Sequence, residues 1–174
     1  MRYDGAVRKP RLRTDKALRL MSPPPSEDQL AQLARKASYQ GCPKHKEHPQ
    51  QFGLPLYNQS HGDSTLCDRD AGFGPGDLQY VRSWLGRGIK AGLVGDSWES
   101  EAPRAIWAVG DNGWIFEGRI TNSTQFRYDG YPVLPDRPMA RMVYDRFRDW
   151  FERHPKSRNQ DALAKCAGLY GLKK

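Results

Sequence analysis

What this 174-residue chain lacks bounds it first. It has no apolar run of membrane-spanning length, and the segment after Met1 is not the apolar stretch of a secretory leader. A cytoplasmic protein with no membrane partner is therefore expected. The first twenty residues are arginine-rich, as transit peptides are, but Asp4, Asp15 and a scarcity of hydroxyl side chains argue against that reading. Three cysteines, Cys42, Cys67 and Cys166, cannot all pair, so reduced thiols or metal ligands are expected rather than structural bridges. No internal repeat is visible, and Gly86-Arg87-Gly88 lacks the turn and the lysine of a phosphate loop.

Negative charge is also in deficit. Asp+Glu number 20 against 28 Lys+Arg, leaving a formal charge of +8, with an isoelectric point near 9.5 and a mean hydropathy of −0.83. Such a balance suits phosphate-rich partners, because each neutralised phosphate releases condensed counterions. Nucleic acid, RNA foremost, is the expected partner. A basic surface that only confers solubility, or that meets an acidic protein, is the plainer alternative. Five Trp, eight Tyr and six Phe supply enough apolar surface for one core, and the length suits one domain.

Seven basic residues between Arg2 and Arg19 precede Pro23-Pro24-Pro25 without an apolar period, so residues 1–25 read as a flexible basic arm and 26–174 as a single domain. Ser26 and Gln29 have capping-box spacing, and Leu30, Leu33, Ala34 and Ala37 recur at helical intervals, predicting a helix to about Ser38. Periodicity then vanishes over 39–76, a stretch too long for a mere connection. A second helix is expected from Asp77, with Leu78, Val81, Leu85 and Ile89 inward and Trp84 on the flank. Ala105 to Val109 reads as a strand. Asn112-Gly113 predicts a primed hairpin turn, Trp114 to Thr121 alternates as the return strand, and Gln125 to Tyr128 predicts a third strand. Pro138 opens a covering helix with Met139, Val143, Phe147 and Trp150 inward. A short helix around Ala162, Leu163 and Cys166 follows. The fold class expected is α+β: N-terminal helices, a small antiparallel sheet and a covering C-terminal helix.

Two places invite chemistry. His45 lies between Lys44 and Lys46, where cations can hold phosphate while imidazole exchanges a proton. A solvated basic turn is the bland alternative. The same stretch offers Cys42, His45, His48, His61 and Cys67 as zinc ligands, a weak pattern without a second short Cys/His pair. Asp63, Asp68 and Asp70 match no magnesium motif, and acidic loop residues are usually solvated. The second place is the sheet face carrying Glu117 and Arg119, with Gln125 and Arg127 on the expected neighbour; it is either a solvent face or a site. As a site, Glu117 takes a proton from a ribose 2′-hydroxyl, Arg119 and Arg127 steady the charged phosphorane, and His45 returns a proton to the leaving oxygen. Arg87 and Lys90, on the second helix, join Lys44, Lys46 and Arg127 as candidate phosphate ligands. No cofactor or metal is required by that scheme.

The motif Tyr-x-Gly-x-Pro-x-His-Lys at Tyr39 to Lys46, with Asp63-x-Thr65-x-Cys67-Asp68, resembles small uncharacterised bacterial proteins, as do Gly113-Trp-Ile-Phe-Glu-Gly118 and Tyr128-Asp-Gly-Tyr-Pro132. The expected architecture is similar to that of metal-independent ribonuclease toxins of the barnase–colicin–RelE class. That resemblance implies a toxin-type endoribonuclease with a cognate inhibitor protein. The alternatives are a non-catalytic nucleic-acid-binding module, zinc-stapled or not, and a protein-interaction or inhibitor factor.

Overall fold

Helix α1 (Glu27–Lys36) begins at the capping box the spacing predicts: Gln29 N donates to Ser26 Oγ at 3.3 Å and Ser26 N donates to Gln29 Oε1 at 3.0 Å. The computed structural model describes residues 18–155 and 160–172, so most of the expected basic arm lies outside the described residues. The arm's last part is not loose. Leu20 is buried and bridges Gly95, and Met21 N donates to Val94 O at 2.9 Å.

The fold class is α+β. After α1 come β1 (Ser38–Tyr39), α2 (Cys67–Ala71), α3 (Leu78–Lys90), β2 (Trp98–Glu99), β3 (Ala102–Pro103), β4 (Ala105–Val109), β5 (Ile115–Asn122), β6 (Arg127–Pro132), α4 (Pro138–Arg153) and α5 (Gln160–Leu169). The main sheet runs β1-β6-β5-β4. It is mixed rather than antiparallel throughout, because β1 pairs parallel to β6. The third strand lies later than expected, at β6, since Phe126 takes a positive φ of 51° and the ladder shifts register between Ile120 and Asn122.

Alternation along the strands splits the core in two. Ile106 and Tyr128 face Leu30, Leu33, Leu85 and Ile89 of α1 and α3. Trp107, Val109 and Ile115 face Val143, Phe147 and Phe151 of α4 and Cys166 of α5. Helix α3 lies very close to β4, because a Cβ on Gly88 would sit 2.2 Å from Trp107 O. Gly88 is therefore a packing device, and Gly88→Ala would force helix and strand apart. The buried stripe of α3 is also rotated from the expectation: Trp84 is buried and Leu78 exposed. Trp84 packs with Phe73 and Phe116, aromatics the linear pattern did not connect to it.

The turn between β4 and β5 is not the primed type. Among its residues only Gly113 has positive φ (88°), while Asn112 Oδ1 accepts from Trp114 N at 3.0 Å, the pattern of a three-residue loop closed by a left-handed glycine. The long 39–76 stretch is structured too. It contains 3₁₀ turns at Pro43–His45 and Pro49–Phe52 as well as α2. Asp68 anchors it, accepting from Glu47 N and His48 N at 2.8 Å each, and Asp70 accepts from Leu66 N at 2.7 Å. Short local elements tied by side-chain acceptors leave no periodic trace, which explains why the segment reads as unstructured.

Candidate active site

The register of β4, β5 and β6 builds the site. Glu117 pairs opposite Trp107 on one side and Tyr131 on the other, and Arg119 pairs opposite Asp129. Opposed residues share a face, so all five side chains rise from one side of the sheet, where Trp107 also packs against α4. The face is not a solvent face, because Glu117 is only 8% exposed.

Three donors hold that carboxylate. Tyr131 Oη donates to Glu117 Oε1 at 2.5 Å, Arg119 Nε to the same oxygen at 2.6 Å, and Trp107 Nε1 to Oε2 at 3.1 Å. A carboxylate offers about four lone-pair sites, so one acceptor position remains open. Burial, reinforced by the adjoining Glu117 carboxylate, pushes the Tyr131 phenol well above its usual range, so it stays a neutral donor. The Arg119 guanidinium loses hydration to burial, but Tyr131 and Glu117 more than offset this and hold it firmly charged.

His45 comes from the first 3₁₀ turn. Its ring lies 5.1 Å from that of Tyr131, and its Nε2 is 3.5 Å from Asp129 Oδ2. Nδ1 is covered and has no hydrogen-bond partner among the described residues. Burial pushes the Asp129 carboxyl up, but His45, with Lys44 and Cys42, pulls it to a net position below the ordinary carboxylate range. Together His45, Glu117, Arg119 and Tyr131 line a cleft of about 690 Å³, closed at its rim by Asp63, Thr65 and the start of α4.

The other candidates separate. Lys44 is exposed and stands 3.9 Å from Asp129 Oδ2 at the margin of the site. Lys46 cannot meet phosphate as expected from sequence: it is 0% exposed, donates to Tyr39 Oη at 3.3 Å, and lies over the Phe52 and Phe73 rings. In that apolar niche its ammonium is a structural cation. Arg127 is exposed and is not part of the cleft lining, because it stands at the start of β6, two strand repeats from Tyr131. Arg87 and Lys90 lie in a different groove, where α1, α3 and the end of α4 meet beside Arg35, Arg82 and Arg153. Arg87 is half committed there, bonded to Val109 O and to Asp111.

Of the five candidate zinc ligands, three stand apart from Cys42 and His45. Cys67 Sγ donates to Gly130 O at 3.3 Å, His61 stacks on Tyr57, and His48 sits 3.7 Å from Glu47. Asp68 and Asp70 serve as backbone acceptors, leaving Asp63 alone of the acidic trio on the cleft.

Tyr131, Asp129 and Trp107 are the site residues missed by sequence reasoning. Asp129 and Tyr131 do alternate in phase, a signal that becomes readable only once β6 is placed at 127–132. Comparison with family models, with curated proteins and with solved structures finds no match.

Proposed function

We propose that the protein is a metal-independent endoribonuclease of toxin type. The observation that carries this reading is the shielded Glu117 carboxylate, gripped by Arg119 and Tyr131 in a cleft whose wall holds His45. A general base, a fixed guanidinium and an imidazole within one cleft are the parts that 2′-hydroxyl attack on phosphorus requires.

In the proposed reaction Glu117 accepts the 2′-hydroxyl proton as the oxygen attacks phosphorus. Arg119 steadies the negative phosphorane, and Tyr131, its one proton given to Glu117, holds the base in place. His45 gives a proton to the departing 5′-oxygen as its bond to phosphorus breaks, leaving a 2′,3′-cyclic phosphate and a 5′-hydroxyl end. With Nε2 committed to Asp129, Nδ1 is the nitrogen available for that transfer, and the loop must shift to uncover it.

The groove of Arg35, Arg82, Lys90 and Arg153 supports RNA as the partner, since no carboxylate among the described residues lines it. The same groove favours a second reading, a binding module without catalysis. Incubation with RNA in EDTA separates them. The nuclease yields cyclic phosphate ends and spares DNA, which lacks the attacking hydroxyl; intact RNA in EDTA rejects the enzyme.

A further inference from the structure

Cys42 and His45 flank one 3₁₀ turn, and β6 brings Asp129 against both. One ligand atom from each, a thiol sulfur, an imidazole nitrogen and a carboxylate oxygen, lies within 4.8 Å of the other two. In a tetrahedral zinc site with bonds of about 2.0 Å to nitrogen and oxygen and about 2.3 Å to sulfur, ligand atoms stand roughly 3.3–3.6 Å apart. His45 Nε2 and Asp129 Oδ2 are already 3.5 Å apart. That pair already stands at ligand spacing, and Asp129, 5% exposed, is held in place by the sheet.

The chemistry of the three donors agrees with the spacing. A thiolate and a carboxylate together neutralise a dication, and a neutral imidazole completes a borderline-soft set that suits zinc over magnesium or calcium. Lys44, 3.9 Å from Asp129 and half exposed, can swing away when a dication replaces it. Three protein ligands leave the fourth position to water.

We propose that Cys42, His45 and Asp129 form a site for one zinc-class dication, and that metal bound there turns the cleft off. The second clause rests on the nuclease reading: a metal that ties Cys42 and His45 Nε2 to Asp129 locks the turn whose shift must uncover Nδ1, so no proton reaches the leaving oxygen. Zinc would thus inhibit a reaction that needs no metal. This ligand set differs from the one the sequence offered, because Cys67 is turned to Gly130 and Asp129 takes its place.

Titration of untagged, phosphine-reduced protein with Co²⁺ tests the site without recourse to RNA. About one equivalent should bind, with near-ultraviolet sulfur-to-cobalt absorption that Zn²⁺ abolishes. Cys42→Ser should remove that band, Asp129→Asn should weaken binding by at least about tenfold, and Cys67→Ser should change nothing. Absence of the band in folded wild-type protein, or its survival in Cys42→Ser, overturns the site. RNA cleavage then tests the second clause. Zn²⁺ should suppress cleavage by wild type and spare Cys42→Ser; equal rates with and without bound Zn²⁺ overturn it. A cobalt band in a protein that leaves RNA intact in EDTA supports the metal site and rejects the nuclease, so the two readings fail separately.

Discussion

The Tyr131 hydroxyl and the Glu117 carboxylate face each other across the β5–β6 ladder at 2.5 Å, and Tyr131 donates. The same Glu117 oxygen accepts from Arg119 on its own strand. Tyr131→Phe removes one donor and little volume. The rate of RNA cleavage should fall roughly tenfold, because the base loses a donor that orients it. Stability should fall by about 1 kcal/mol, since the carboxylate keeps two of three partners. Paired urea melts and single-turnover rates check both effects. An unchanged rate would place Tyr131 outside the chemistry.

Lys46 separates a structural cation from a binding one. Its stem and ammonium occupy an apolar niche between Phe52 and Phe73. Lys46→Met keeps the volume and removes a buried charge, so the melting temperature should hold or rise. Lys46→Ala leaves a cavity and should cost about 2–4 kcal/mol. Neither should alter the salt dependence of RNA binding. A flatter slope in Lys46→Met would show that the ammonium reaches phosphate after all.

The groove cations make the opposite prediction. Charge reversal by Arg82→Glu and Lys90→Glu should weaken RNA binding and flatten the salt dependence by about 0.7 per lost phosphate contact on a single strand. Stability should move little, as both side chains are exposed. Arg87→Ala differs, because it also strips a donor from Val109 O and should cost roughly 1–3 kcal/mol. Salt titrations by fluorescence anisotropy distinguish the three.

Acid should loosen the 39–76 segment first. Partial burial pushes the Asp68 carboxyl up, but donated amides from Glu47, His48, Asp68 itself and Arg69 hold it net below the usual range. Asp70 is likewise lowered, chiefly by its hydrogen bond from Arg69. A carboxyl depressed on folding contributes stability that is complete above its unfolded value, about 3.9, and is lost as pH falls through the folded value. Asp68→Asn should therefore lower stability at neutral pH and leave less to lose on acidification. Amide exchange at Glu47 and His48 between neutral pH and pH 3 reads this directly.

Helix α1, the β4–β5 hairpin and α4 were legible because capping, alternation and an N-terminal proline act locally. Glu117 and Arg119 were legible for the same reason: two charged residues on one face of a clean strand. Tyr131 and Asp129 were not. Their strand begins after a left-handed Phe126 and a register shift that no period reveals. Lys46 misled because a lysine beside a histidine resembles a phosphate grip, while its burial depends on Phe52, Phe73 and Tyr39, of which Phe73 lies 27 residues away in sequence. That His45 and Glu117 line one cleft depends on the contacts of the His45 turn with Asp129 and Tyr131 of β6, which composition does not encode.

In the proposed reaction Glu117 and His45 cut RNA as base and acid. Cleavage of a defined RNA in EDTA by the Glu117→Gln, His45→Ala double variant tests it most directly, with binding of a 2′-O-methyl analogue as the control for fold and affinity. Each single change should slow cleavage on the order of 10²-fold or more, and the double variant should be no faster than either, while analogue affinity stays within a few-fold. Wild-type cleavage rates in the double variant would contradict the account.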